Sequence, residues 1–270
     1  MSIFRRDVTM QFAALAAALL IGAFALLYVS SDSIGAEGIL IANSIGNPLA
    51  SLTCAALAFV LWRSFAKGEN LRRVWLLLGI GMLMWGIAEI IFAYYDITAT
   101  EVPVPSLADI LWVPGYVPLF AALYLRYTTL PITPPRWQIA LLLVAVLAAG
   151  AASVIFVISP NIALPENDTA SIVLSILYPV GDMLIVVGVG LTVLALLGGE
   201  LSRPWLVIAV GFASIAIADS LYYYGYASGD YNSDLIPVTL VTAISDICYF
   251  GGYVLIALGT LVQARLQKVF

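Results

Sequence analysis

The chain has 270 residues, of which 63% are hydrophobic and 10% charged, with a mean hydropathy of +1.05 and a formal net charge of −5. Soluble domains carry ~25% charged residues, so this composition excludes a water-soluble globular protein and places the chain in a bilayer. The absence of histidine also removes the Ser-His-Asp triad, histidine-ligated zinc and haem, and any three-histidine membrane hydrolase.

Eight apolar stretches follow one another, at 10–30, 41–62, 73–95, 107–127, 137–158, 170–197, 205–226 and 240–263. Each is near the ~20 residues that span a hydrocarbon core, so the expected fold is an all-α integral membrane protein of eight transmembrane helices, with no room for a soluble domain. The first stretch follows Arg5 and Arg6 and contains "AFA" at 23–25, features shared with a secretory signal peptide. It reads as a retained helix because its loss would unbalance the repeat described below. The links "SSDSIGAEG" and "ITATEVPVPS" read as tight connections between neighbouring helices. Pro48, Pro114, Pro118 and Pro179 fall inside helices and free backbone carbonyls, through kinks or as part of a cation site. The glycines of "GIGMLMWG" and "VVGVG" suit close helix contact. Cys54 and Cys248 lack metal-ligand spacing and read as inert core thiols. "NDT" at 167–169 has the form of a glycosylation sequon. Lys67 and Lys268 lie at helix ends, so no retinal Schiff base is expected.

Charge gives the orientation. With a cytoplasmic amino terminus, all 11 Lys and Arg residues fall on the inner side: Arg5, Arg6, Arg63, Lys67, Arg72, Arg73, Arg126, Arg136, Arg203, Arg265 and Lys268. The opposite links carry Asp32, Glu37, Asp96, Glu101, Glu166, Asp168, Asp230 and Asp234. The positive-inside rule assigns this division to one topology, with both termini cytoplasmic in the cell membrane of a prokaryote.

An internal repeat organises the chain. "GENLRRVWLLLGIGMLMWGIAEIIFAYY" at 68–95 returns as "GELSRPWLVIAVGFASIAIADSLYYY" at 199–224, matching Trp75 with Trp205, Gly81 with Gly211 and Glu89 with Asp219. "DILWVPGYV" at 109–117 returns as "DICYFGGYV" at 246–254, so Asp109 answers Asp246 and Gly115-Tyr116 answers Gly252-Tyr253. Upstream only Pro48 and Pro179 still correspond. The division is a first four-helix repeat over 1–130 and a second over 131–270, together one membrane domain. Four is even, so both halves cross in the same sense and are expected to be related by a pseudo-twofold axis along the membrane normal.

Such an axis draws equivalent positions together, which singles out the intramembrane carboxylates Glu89, Asp109, Asp182, Asp219 and Asp246. From Arg73 and Arg203, 16 residues at ~1.5 Å each carry Glu89 and Asp219 ~24 Å, into the outer leaflet. Asp109 and Asp246 lie in the same half, and Asp182 lies nearest the middle. Insertion scales charge ~2.5–3.5 kcal/mol for one Asp at a helix centre, so five facing lipid would cost on the order of 12–17 kcal/mol. They are therefore expected to face the bundle interior or water, yet no Lys or Arg lies between the helix ends to pair with them.

Three neutralisers remain: a proton on each carboxyl, hydrogen bonds from Tyr and Trp, or a cation the protein does not encode. One reading is neutral carboxyls acting as interhelical glue. The other is an outward-open pocket for a small cationic or protonatable ligand, with Tyr116, Tyr253, Tyr178, Tyr222 and Tyr223 supplying donors and π-faces. The "YYYGY" cluster with Trp112 and Tyr249 fits an interfacial aromatic belt and the pocket alike. An intramembrane aspartyl protease needs two facing aspartates, for which Asp182 with Asp219 or Asp246 are candidates; "PVGD" lacks the first glycine of the presenilin-type G-x-G-D, and no P-A-L segment is present.

Tyr178, Pro179 and Asp182, then Trp205, Gly211, Ala218, Asp219 and Tyr222, then Asp246, Tyr249, Gly252 and Tyr253 form a pattern. It resembles that of the multi-helix transmembrane sensor regions found ahead of GGDEF and EAL domains or histidine kinases in many bacteria. The likeness covers the second half well. The first half departs from it, with Glu89 where aspartate is usual and Asn47-Pro48 where Tyr-Pro is expected. The resemblance implies a signalling domain after the eighth helix, whereas the sequence runs out at "ARLQKVF", so the chain is either a stand-alone relative that signals through a cytoplasmic partner or a piece of something longer. The resulting expectation is a receptor or sensor that binds a small cationic or protonatable ligand among membrane lipids. It has no catalytic residue, cofactor, metal site or nucleic-acid partner. A proton- or cation-coupled transporter is the alternative, since parallel repeats with buried carboxylates describe carriers as well.

Overall fold

The computed structural model describes residues 8–98, 102–165, 167–231 and 236–269. Arg5, Arg6, Glu101, Glu166 and Asp234 of the charge pattern lie outside them. Among the described residues eight helices are long and apolar enough to cross a membrane: α1 Val8–Val29, α2 Ser31–Ser64, α3 Asn70–Thr98, α4 Asp109–Thr128, α5 Arg136–Ala163, α6 Thr169–Leu196, α7 Ser202–Ser228 and α8 Leu240–Leu266. The architecture is all-helical and fits a multi-pass membrane protein.

Helix bounds follow the apolar stretches within a few residues except at the start of α2, where the expected link "SSDSIGAEG" is itself helical on both sides of a kink. Gly35 makes the kink with φ 79° and ψ 165°, a conformation open to glycine because it has no Cβ. Within α5 a π-helical turn spans Val154–Ile158. Just beyond it the Asn161 amide donates to the Val157 carbonyl at 2.8 Å and to Tyr223 at 3.0 Å, tying α5 to α7. Asn167 of the sequon donates to the Asn161 carbonyl at 2.9 Å, so its amide is already engaged.

The solvent is written into the burial pattern. Large apolar side chains such as Val29, Leu147 and Trp137 point outward, while Ser51, Ser175, Thr192, Ser245, Thr260 and four carboxylates are buried. Lipid tails reward this arrangement, because apolar groups are at home outside and polar groups must find partners between helices. The pair α7 and α8 packs most extensively, followed by α2 with α3 and α3 with α4; α6 packs on α7, α8 on α2, and α4 on α6. The α1 helix lies against α8, and α5 against α6 and α7. Glycine makes the closest contacts possible: a Cβ on Gly81 would meet Leu119 Cγ at 2.5 Å, and one on Gly86 would meet Leu52 Cδ2 at 2.7 Å. Cys54 is fully buried and Cys248 half-buried, both as free thiols.

Asp168 caps α6 by accepting from the Ser171 amide at 2.8 Å. That bond favours the carboxylate form, so the Asp168 carboxyl is held below its ordinary value. A depressed folded value contributes stability above the unfolded value and loses it as pH falls through the folded one. Asp168→Ala is therefore expected to lower the thermal stability of the purified protein at neutral pH. The gap from the wild type should close on acidification below the aspartate range, as followed by thermal unfolding across pH.

Candidate functional site

Four of the five carboxylates singled out by sequence, Glu89, Asp109, Asp219 and Asp246, line one cavity of ≈ 210 Å³. It lies toward the end of the bundle that carries the α3–α4 and α7–α8 connections, for Val102, Pro103, Val104 and Tyr231 contribute to its wall. The opposite end carries Arg63, Arg73, Arg126 and Arg203 and is the basic end. Asp182 does not line the cavity; it sits behind Tyr116, which does.

The helices deliver the carboxylates in pairs with phenols from other helices. On α3, Glu89 is 6% exposed and accepts from Tyr253 of α8 at 2.7 Å. On α7, Asp219 is 7% exposed and accepts from Tyr249 of α8, and from Tyr116 of α4 at 3.4 Å. The same Tyr116 hydroxyl lies 2.7 Å from Asp182 Oδ1 on α6, so one phenol serves two carboxyls. The other Asp182 oxygen is buried and receives no donor, and the Asp182 and Asp219 carboxyls interact directly with each other.

Asp246, on α8, is the most heavily bonded. Tyr28 of α1 reaches its Oδ2 at 2.7 Å, Asn43 of α2 reaches the same oxygen at 3.0 Å, and Tyr231 reaches its Oδ1 at 2.8 Å. The Tyr231 phenol, in the link after α7, is half-buried beside Asp246 and is held well above the usual tyrosine value, first by desolvation and then by the aspartate's charge. At the first turn of α4, Asp109 accepts from Tyr178 of α6 at 2.5 Å and from the Ser106 amide at 2.6 Å. The positive end of the α4 dipole adds to that stabilisation.

Aromatic rings complete the walls. Tyr222 meets Tyr223 at 5.4 Å and Tyr231 at 4.8 Å, Tyr223 meets Tyr178 at 5.6 Å, and Trp112 packs on Phe92 at 5.3 Å. On α2, Asn43 Oδ1, Ser44 Oγ and Asn47 Oδ1 line the cavity and are buried without partners. Asn43 directs its NH2 at the Asp246 carboxylate, which leaves its carbonyl as the free acceptor. The site thus offers carboxyl groups, unfilled acceptors and π-faces. Among the described residues no Lys or Arg acts on Glu89, Asp182, Asp219 or Asp246. Among the described residues no three His, Cys, Asp or Glu side chains converge as a metal site.

Sequence reasoning did not single out Tyr28, Asn43, Ser106 or Tyr231. Asn43 and Asn47 carried a usable signal, since residues four apart share a helix face and two amides on one face of an apolar helix point inward. Tyr28 carried none, being one tyrosine at a helix end.

Removing a donor tests the pairings. Tyr116→Phe deprives two buried carboxyls at once, and an unsatisfied buried polar group costs ~1–3 kcal/mol. It should destabilise the protein more than Tyr253→Phe, which deprives Glu89 alone. Tyr222→Phe, whose hydroxyl has no hydrogen bond among the described residues, should stay within ~0.5 kcal/mol of the wild type. Denaturation of the three variants in detergent gives the ranking.

Compared with protein-family models, curated proteins and solved structures, the chain finds no match. The site and fold therefore define its class: a multi-helix bundle of membrane-spanning type with a carboxylate-rich aromatic cavity at one end.

Proposed function

We propose that the protein is a membrane receptor or sensor that binds a small cationic or protonatable ligand in this cavity and signals toward the basic end. The observation that carries the reading is the cavity itself: buried carboxylates from α3, α7 and α8 meet there with phenols and, among the described residues, with no Lys or Arg. A charge-complementary ligand is the missing partner, and the tyrosine and tryptophan faces suit an amine.

The bundle is read as two parallel four-helix repeats about a pseudo-twofold axis, 1–130 and 131–270. Reciprocity supports this. Tyr253 of the second half donates to Glu89 of the first, and Tyr116 of the first donates to Asp219 of the second. Trp75 and Trp205, equivalent in the alignment, meet each other at 5.6 Å. Gly81 packs on Leu119 and the Gly115 carbonyl, as Gly211 packs on Ile256 and the Gly252 carbonyl. The orientation is the one the basic residues favour, with both termini cytoplasmic and the cavity open to the outside of a prokaryotic cell membrane. Ligand occupancy then shifts the packing of the halves to the extent that affinity differs between two packings. A cytoplasmic signalling domain or partner would read that shift.

Thermal unfolding with ammonium, tetramethylammonium and short diamines tests the reading. An amine should stabilise the wild type, with no flux of the labelled amine into proteoliposomes. Flux would replace the sensor with a transporter, and stabilisation by none of these cations would remove the cation-binding reading.

A further inference from the structure

A second uncompensated charge lies at the basic end, remote from the cavity and independent of its reading. Arg126, in the last turn of α4, is only 6% exposed. Its guanidinium stands over the Trp205 ring of α7 at 5.5 Å, and Trp205 in turn packs on Trp75 of α3 at 5.6 Å. Arg126 Nε is buried without a hydrogen-bond partner, and no charged group acts on the side chain. Among the described residues the acids of this end do not serve it: Glu69 accepts from the Ala66 amide at 3.2 Å, and Glu200 is exposed.

A further donor is stranded beside it: Trp75 Nε1, on the ring pair that carries Arg126, is buried without a partner. Two helices thus bring unfilled N–H donors, one of them cationic, to one end of a membrane-spanning bundle. The tryptophan face and the carboxyl end of α4 offset part of the Arg126 charge, but neither accepts its hydrogen bonds.

We infer that Arg126, with Trp75, forms a binding site for a phosphate group, with the headgroup of an anionic lipid as its source. A guanidinium fork matches phosphate oxygens in pairs, and basic pockets between transmembrane helices are where headgroup phosphates lodge. The site is single. In the alignment that pairs Gly115-Tyr116 with Gly252-Tyr253, the counterpart of Arg126 is Gln263, which is buried, neutral and offers an unfilled acceptor instead. Because the site abuts Trp75 and Trp205, its occupant bears on the contact between α3 and α7.

The test uses the full chain in neutral detergent, with phosphatidylglycerol, phosphatidylcholine or inorganic phosphate added. Phosphatidylglycerol at saturating levels should raise the wild-type Tm by roughly 3–5 °C, and phosphatidylcholine should not. Arg126→Gln should abolish the shift, Trp75→Phe should reduce it while keeping the ring, and Arg63→Gln, on an exposed side chain, should retain it. An equal shift with inorganic phosphate alone would assign the site to free phosphate rather than lipid. Should Arg126→Gln fail to fold, native mass spectrometry of the wild type decides: retention of one phosphatidylglycerol in preference to phosphatidylcholine supports the site, and equal retention overturns it. No shift with either phosphate source, or an undiminished shift in Arg126→Gln, also overturns it.

Discussion

Gly252→Ala should be strongly destabilising while Gly251→Ala, one residue away on the same helix, should be tolerated. A Cβ on Gly252 would lie 2.6 Å from Ile215 Cγ1 and 2.9 Å from the Gly211 carbonyl oxygen. The side chain could rotate, but the carbonyl belongs to the α7 backbone, so relief requires α7 and α8 to separate. Separation would be felt along the seam, because Gly211 and Gly259 make equally close approaches, at 2.7 Å to the Gly252 and Pro204 carbonyls. Overpacking of this kind costs ~1–3 kcal/mol and occasionally more, and the upper end is expected because backbone must move. At Gly251 the nearest atom to an added Cβ is Ile21 Cγ2 at 3.7 Å, an ordinary contact. There alanine also gains the ~0.5–1 kcal/mol by which it exceeds glycine within a helix. Unfolding of both variants by denaturing detergent measures the contrast, and similar midpoints for the two would show that the α7–α8 seam is looser than these distances require.

Much of the architecture was legible because the bilayer imposes length and polarity together. A helix must carry ~20 apolar residues to cross, so the helices could be counted from hydropathy, and the cost of a lone carboxylate in lipid forced Glu89, Asp109, Asp219 and Asp246 inward. What hydropathy cannot give is rotation and partner. Asp182, nearest the middle by sequence, joins the others as an inward carboxylate, yet it faces Tyr116 from behind and leaves the cavity wall to the phenol. Asp246 draws Tyr28 from α1 and Asn43 from α2, helices in which the repeat had faded to hydropathy, so no alignment pointed to them. Arg126 was counted with the basic residues of the helix ends. Its burial over Trp205 depends on which way the last turn of α4 faces, and a residue at a helix end satisfies the charge rule equally well in either direction. The start of α2 was misread for a related reason: Asp32, Gly35 and Glu37 look like a polar link, but a glycine with positive φ lets one helix end and the next begin without leaving the helical path.

Glu89→Gln should weaken amine binding far more than it weakens the fold, and Asp246→Asn should do the reverse. The two carboxylates line the same cavity but differ in how far the protein satisfies them. Asp246 receives three donors, from Tyr28, Asn43 and Tyr231, on both of its oxygens. An asparagine there would set its own NH2 against at least one of those donors, leaving buried groups unpaired at ~1–3 kcal/mol each, and it would loosen α1, which Tyr28 pins to α8. Glu89 receives Tyr253 on Oε1, with the Trp112 indole within reach. Glutamine can keep the Tyr253 bond through its own carbonyl oxygen, so the fold loses little, while the charge available to a ligand disappears. Hydrogen bonds to charged groups contribute ~1.5–3 kcal/mol, which corresponds to roughly 10- to 150-fold weaker binding of a cation. Titration of the stabilising amine against wild type, Glu89→Gln and Asp246→Asn, with unfolding midpoints measured in its absence, separates the two effects. If Glu89→Gln keeps wild-type affinity, the ligand charge is not met by Glu89, and the cavity carboxylates serve packing alone on that side.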